Sequence, residues 1–330
     1  MIISRTPLRM SFVGGGSDLP GYYRHNGGGA VVSTAIKKYV YITVNEKFDE
    51  AIRVSYSKTE EVTKVSEIQH KIVRETLLHL GIPGGVEITS VADIPSRGTG
   101  LGSSSAFTVG LLNALQAYKT SFVSAESLGK EACRIEIEIC GEPIGKQDQY
   151  ASAYGGLNFI QFNEDDSVFV NPIICGRQTV ETLQNNTLVF YTGLTRNASA
   201  ILKTQDENIR SDPAKRDAMK KMVKFAFDLR DSLQRNNLDD FGNALHENWL
   251  LKKSLAADVT SGDIEDWYSK ARSAGALGGK LLGAGNGGFL MFYAPKEKHR
   301  DIGQALQKLR QVHFGFEPEG SKIIFVHKPG

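Results

Sequence analysis

"GTGLGSSSAF", residues 98–107, sets three glycines within five positions, follows them with three serines, and runs on into "TVGLLNALQAYK". The apolar tail reads as a buried helix, so the glycines and serines stand at its N-terminus. Glycine costs backbone entropy and packs nothing, so a cluster here implies unusual backbone angles or the close approach of another molecule. A helix N-terminus carries unpaired N–H groups and the positive end of the helix dipole, and it attracts anions. Glycines ahead of it let the backbone close around phosphate oxygens, and hydroxyls beside it can ligate an accompanying Mg2+. The competing reading is a glycine-rich turn with a serine N-cap. The stretch is not a P-loop, because no Gly-Lys-Ser/Thr follows. Nor is it a dinucleotide fingerprint: Gly98, Gly100 and Gly102 lack a third glycine at the required offset and an acidic residue ~20 positions on.

On the N-terminal side, "VVSTAIKKYVYITVNEKF", "AIRVSY" and "GVEITSVADIP" read as strands, and "EIQHKIVRETLLHLG" as an amphipathic helix closed by Gly81. On the C-terminal side a second helix covers "SAESLGKEACRIEIEIC", and residues 157–173 read as a hairpin with an acidic turn. A strand "TLVFYTGL" opens the second half. Helices follow over roughly 197–209, 214–234, 238–256 and 263–273, then a glycine-rich loop, the strand "GGFLMFYA", a helix near 297–311 and the strand "SKIIFVHK". Strands come in groups rather than in strict βαβ alternation, which favours α+β. The polar segment "CGRQTVETLQNN" around 175–186 marks the best boundary, giving domains over 1–180 and 181–330.

Composition excludes several classes. A chain of 330 residues, 41% hydrophobic, can bury a core of two ordinary domains, and a net charge of +2 points to neither nucleic acid nor a membrane surface. No apolar run approaches the ~20 residues that span a bilayer, and "MIISRTPLRMSF" is interrupted too early for a signal peptide. Cys133, Cys140 and Cys175 are odd in number and lack ligand spacing, so the first two are expected in the core of a reduced, cytoplasmic protein. The glycosylation-type triplets at Asn185 and Asn197 then read as chance matches.

Two further glycine-rich stretches, "LRMSFVGGGSDLPGYY" (8–23) and "KLLGAGNGGFLMFY" (280–293), each lie at the end of a regular element. Either alone would more often be a tight turn. Together, in this order, "TPLRMSFVGGGSD", "GLGSSSA" and "GAGNGG" resemble the three motifs of the GHMP small-molecule kinases, over nearly the whole chain. The resemblance implies an N-terminal α+β domain with a left-handed βαβ unit, a ferredoxin-like C-terminal domain, and an active site for ATP and Mg2+ between them. It implies further that the backbone of Gly100, Leu101, Gly102, Ser103, Ser104 and Ser105 cradles the triphosphate. Ser104 and Glu136 would ligate Mg2+, and Asp148 would take the proton from the attacking hydroxyl with Arg9 beside it. Asp18, with Gly15 and Gly16, would hold the sugar, over which Gly283 to Gly288, including Gly285 and Gly287, would close. From the residues alone, Glu136 and Glu138 could equally form a solvated helix face, and Asp148 could be an N-cap.

Within the family, galactokinase-like members carry Gly-Glu-His-Thr-Asp where this chain has Gly14-Gly15-Gly16-Ser17-Asp18, a loss of bulk and charge that suits a larger or more anionic substrate. "SFVGGGSD", "GKQDQYASAYGG" and "YTGLTRNASAIL" look most like bacterial D-glycero-D-manno-heptose 7-phosphate kinases, which implies transfer to the anomeric C1 hydroxyl of a sugar phosphate. Other sugars such as fucose, or a non-catalytic sugar sensor, are the rival readings. A substrate phosphate calls for a cation. Arg196, in a loop between a strand and a helix, is the first candidate, with Arg24 and Lys146 as rivals. The segment "PSRGTG" is one residue longer than the family spacing and brings in Arg97.

Overall fold

The computed structural model describes residues 1–94, 98–194 and 198–327. Two long strands, β1 (Ile2–Val13) and β2 (Gly29–Glu46), flank the single-turn helix α1 (Pro20–Tyr23). The short strands β3 (Ile52–Ser55) and β4 (Thr59–Val62) lead to α2 (Lys71–Leu80) and β5 (Val86–Ala92). Gly81 ends α2 in the left-handed conformation, with φ 65°. Then come α3 (Ser103–Tyr118), α4 (Ala125–Cys133), α5 (Gln147–Tyr154) and the hairpin β6 (Leu157–Phe162) and β7 (Val168–Pro172). The second half holds α6 (Arg177–Asn185), β8 (Thr187–Tyr191), α7 (Ala198–Ser211), α8 (Pro213–Gln234), α9 (Phe241–Leu255) and α10 (Gly262–Ser273). It ends with β9 (Gly278–Leu281), β10 (Phe289–Tyr293), α11 (His299–Ala305), β11 (Arg310–Val312) and β12 (Lys322–Val326).

Eight strands make the first sheet, in the order β12-β1-β2-β5-β3-β4, with β6 and β7 added on β2. β2 is long because its two ends serve different partners: Gly29–Thr34 pairs with β6, and Val40–Glu46 with β5. β3 and β5 run parallel, joined through β4 and α2, which makes the βαβ unit of the fold. The second sheet, β11-β8-β10-β9, is antiparallel throughout. Its strand β10, "FLMFY", is buried at every position, as a continuous apolar run requires. Leu290 and Phe292 face a core with Trp249 and Tyr268, while Phe289, Met291 and Tyr293 join the large core of the first sheet. The architecture is the two-domain α+β arrangement of the sequence reading, and Cys133 and Cys140 are buried.

One expectation needs correction, the helix near 297–311, and two features lie outside the sequence reading. The polar boundary segment is mostly the helix α6, whose Thr179 and Leu183 form a thin buried stripe in a hydrophilic sequence. The helix near 297–311 stops at Ala305, and Val312 pairs instead with Val189 at the edge of the second sheet, where tertiary pairing overrides local propensity. Segment 181–330 serves both sheets, because β12 returns to pair with β1, Ile2 opposite Val326.

Candidate active site

The loop 98–102 meets α3 through three glycines in left-handed conformation, Gly98 (φ 69°), Gly100 (φ 74°) and Gly102 (φ 75°). Gly102 is the N-cap residue and no side chain caps the helix, which removes the serine-cap reading. The N–H groups of the first turn, Ser103 to Ser105, are left for an anion. A Cβ on Gly100 would lie 2.1 Å from the Leu282 carbonyl oxygen, and one on Gly288 would lie 2.3 Å from that of Thr99. The second and third motifs therefore touch backbone to backbone, with room for no side chain between them.

Beside the loop, α4 continues into a π-helical segment, Arg134–Ile139, marked by the bond from Cys140 N–H to the Ile135 carbonyl. Such bulges re-aim side chains and recur at functional sites. Here Glu136 is fully buried while Glu138 is exposed, so the solvated-face reading fails for the residue that matters. The Glu136 carboxylate accepts from Ser104 Oγ at 2.9 Å and from Gln149 Nε2 at 2.7 Å. Burial raises its pKa against the hydroxyls of Ser105 and Ser104 and the Gln149 amide, which favour the charged form. No cation pairs with it among the described residues. A buried carboxylate with hydroxyl neighbours and no counter-charge is an oxygen-donor set that fits Mg2+. Among the described residues no group of three His, Cys, Asp or Glu could hold a metal.

Arg9, on β1, joins the loop to α5. Its Nε and Nη2 donate to the two oxygens of Asp148 at 2.8 and 2.7 Å, and Nη1 donates to the Gly100 carbonyl at 2.6 Å. The fork fixes the carboxylate in plane and direction. Asp148 lies in the first turn of α5, behind the N-cap Lys146, so it is not an N-cap itself. A Cβ on Gly102 would come within 3.2 Å of Asp148 Oδ2, which puts this carboxylate against the glycine loop 98–102.

Asp18 is buried and accepts from the N–H groups of Gly16 and Gln147, at 3.0 and 3.1 Å, and from the Gln147 amide at 3.3 Å. It fastens the first motif to the start of α5. Burial raises its pKa despite those donors. Gly15 and Gly16 line the cleft. In the third motif, Gly283 and Ala284 line it, whereas Gly285 lies behind them against Val259 and Gly287 forms no part of the lining.

Four residues absent from the sequence reading support the cleft, two of them, Lys252 and Lys280, in its lining and two, Asn248 and Gln205, behind it. On α9, Asn248 accepts from Gly14 N–H at 3.1 Å, and one turn on Lys252 donates to the Gly15 carbonyl at 3.1 Å. Gln205, on α7, accepts from Lys252 at 2.6 Å and donates to the Ala284 carbonyl at 3.1 Å, so it ties the first motif to the third. Lys280, on β9, is the fourth. The signal for the α9 pair was a stripe, Phe241, Leu245, Asn248, Lys252 and Leu255, buried throughout at helical spacing with two polar members.

The basic candidates of the sequence reading fare differently. Arg24 and Lys146 both bond Asp166, each at 3.0 Å, and Lys146 also lies 4.8 Å from the Tyr23 ring. Neither lines the cleft, a correction to their rival status. Their carboxylate partner sits in the acidic hairpin turn, which local sequence could not connect to them. Arg196 and Arg97 lie outside the described residues, as does Asn197.

The cleft measures about 680 Å³ and is lined from both sheets and from α7 and α9, a size ordinary for small-molecule sites. Its apolar end holds Tyr56 edge-on to His70 at 4.6 Å and His70 stacked on Phe107 at 5.0 Å. Flat rings there suit the face of a base.

Residues 65–156 match the family model "GHMP kinases N terminal domain" and residues 229–312 match "GHMP kinases C terminal", together more than half of the chain. The chain belongs to the GHMP kinase family. It is an ATP-dependent phosphotransferase. It is 29% identical to the D-glycero-alpha-D-manno-heptose 7-phosphate kinase of Campylobacter jejuni, over 97% of this chain and 98% of that one. A crystal structure of a D-glycero-D-manno-heptose 1-phosphate kinase from Bacteroides thetaiotaomicron superposes with a TM-score of 0.80 at 26% identity, covering 99% of this chain and all of the other. The bifunctional fucokinase/GDP-fucose pyrophosphorylase of Arabidopsis thaliana is 26% identical over 92% of this chain, which spans only 31% of that longer protein. No helix among the described residues is long and apolar enough to cross a membrane.

Proposed function

We propose that this kinase transfers the γ-phosphoryl group of ATP to the anomeric C1 hydroxyl of D-glycero-D-manno-heptose 7-phosphate, giving the 1,7-bisphosphate. One observation carries the reading: the Arg9 fork holds Asp148 against the phosphate loop, in a chain alike over its full length to a heptose 7-phosphate kinase. Phosphoryl transfer asks for in-line positioning and charge stabilisation more than covalent chemistry. The first-turn N–H groups of α3 receive phosphate oxygens. Ser104 and Glu136 would hold Mg2+, which neutralises phosphate charge when bound. Asp148, its plane set by Arg9, accepts a hydrogen bond from the acceptor hydroxyl and takes its proton as the new P–O bond forms and the bond from the γ-phosphorus to the ADP oxygen breaks. Asp18, Gly15 and Gly16 line the acceptor's side of the cleft.

The fucokinase likeness favours a second reading, an unphosphorylated sugar as acceptor, and the 1-phosphate kinase likeness a third, a heptose that already carries phosphate at C1. A panel tests all three. ADP release is followed with ATP and Mg2+ against heptose 7-phosphate, heptose 1-phosphate, heptose and fucose, and the product's phosphates are placed by phosphorus NMR. The expected outcome is the highest kcat/KM on the 7-phosphate with a new phosphate at C1. A higher value on fucose or on heptose 1-phosphate would replace this reading with the matching rival.

A further inference from the structure

Lys280 has no part in the mechanism above. On β9 it stands opposite Met291 of β10, on the sheet face that joins the core of the first sheet, while the next residue, Leu281, enters the opposite core. Its side chain lines the cleft although the residue is only 4% exposed. Among the described residues its ammonium group meets no hydrogen-bonding or ion-pairing partner. Its charged neighbours are Lys252 and Arg9; burial and these two cations push its pKa down to about 7. Lys252, 6% exposed, donates only to the neutral oxygens of Gly15 and Gln205. Burial lowers its pKa to about 8, and Asp18 works against this. A buried cation is strongly disfavoured unless a counter-charge joins it.

We propose that Lys280, seconded by Lys252, binds a phosphate group carried by the acceptor, and that this pair makes the enzyme select phosphorylated over unphosphorylated acceptors. The proposal rests on the sugar-phosphate reading above and names the residues that enforce it. Two ammonium groups match the nearly double charge of a phosphate monoester, and lysine meets it as a compact point charge. Arg9 is already engaged by Asp148 and Gly100, so it is not free to do so. Phosphate could also arrive as the γ-group of the nucleotide. Position favours the acceptor: Lys252 sits against the first motif, where a Cβ on Gly16 would lie 2.9 Å from its Nζ. The nucleotide's phosphates have the α3 N-terminus and the Ser104–Glu136 corner.

The test uses the full chain with Lys280→Met and Lys252→Met. Methionine keeps the length and removes the buried charge, so both variants are expected to melt at or above the wild-type temperature without ligand. Initial rates with heptose 7-phosphate and with heptose give the selectivity, and calorimetry with a non-hydrolysable ATP analogue gives the donor affinity. Each variant is expected to lose about 10- to 150-fold in the ratio of kcat/KM for the phosphorylated over the unphosphorylated sugar. Equal losses on both sugars overturn the proposal, as does a loss confined to the ATP analogue, which would assign the lysines to the γ-phosphate. A lowered melting temperature with an unchanged ratio makes them structural and also overturns it. If the wild-type enzyme turns over no sugar phosphate, the functional reading fails first, on the unmodified protein.

Discussion

The two ends of the cleft hold opposite kinds of unbalanced charge. At the proposed nucleotide end, Glu136 is a fully buried carboxylate among hydroxyls and an amide, with no cation beside it among the described residues. At the acceptor end, Lys280 and Lys252 are buried ammonium groups with no carboxylate in ion-pairing reach among the described residues. Between them Arg9 and Asp148 are matched, fork to carboxylate. Among the described residues the middle is complete in itself, and the ends are not. The unpaired ends call for ligands of opposite sign, a divalent cation at one and an anion at the other, while the paired centre is built to hold geometry.

That contrast can be broken at three places. The largest effect is expected at the centre. Asp148→Asn keeps the shape and removes the proton acceptor, so kcat should fall by ~10²–10⁴ while ATP still binds. Single-turnover assays with calorimetry check this, and an unaltered kcat would take Asp148 out of the chemistry.

The nucleotide end should respond differently. Ser104→Ala and Glu136→Gln should each raise the Mg2+ concentration for half-maximal rate by about tenfold, the scale on which perturbed metal sites weaken. A Mg2+ titration at saturating substrates decides it. Wild-type dependence on Mg2+ in both variants would return the pair to a purely structural role.

The smallest effect belongs outside the cleft. Arg24 and Asp166 form an ion pair with both side chains nearly half exposed, at 3.0 Å. Arg24→Ala should cost less than ~1 kcal/mol of stability, as exposed pairs do, and shift kcat/KM for heptose 7-phosphate by less than about threefold. A loss near a hundredfold would restore Arg24 as the phosphate's partner and undercut the lysines.

The nucleotide end was readable because its parts are contiguous. Gly98 to Ser105 declare a glycine-led helix start in eight letters, and Asp18 and Asp148 each lie in a short, distinctive string. The lysines of the acceptor end and their partner Gln205 come from α7, α9 and β9, and these residues have no local signature. Lys252 stands next to Lys253, which bonds Glu265 and keeps its side chain 22% exposed. Nothing in "WLLKKSL" separates the two except the phase of the helix, which puts Lys252 on the stripe of Leu245 and Leu255. Lys280 follows two glycines in a four-residue strand too short to show a period. The same reasoning explains the missed elements: α6 carries only a thin buried stripe, and β11 exists through its pairing with β8.

The π-helical turn at 134–139 has a genetic consequence. An α-helix advances about 100° per residue, so one residue more or fewer rotates everything beyond it by that amount. Ile135 and Glu136 face inward at the start of the segment, and Cys140 faces inward just past its end. Loss of one codon within the segment would let it relax to an ordinary helix, and Glu136 and Cys140 could no longer both point inward. The chain would keep its helix, its sheet and every glycine of its three motifs, yet the carboxylate and the loop leading to Asp148 would fall out of phase. A silent-looking deletion of three nucleotides is thus among the shortest routes from this kinase to a folded protein without one.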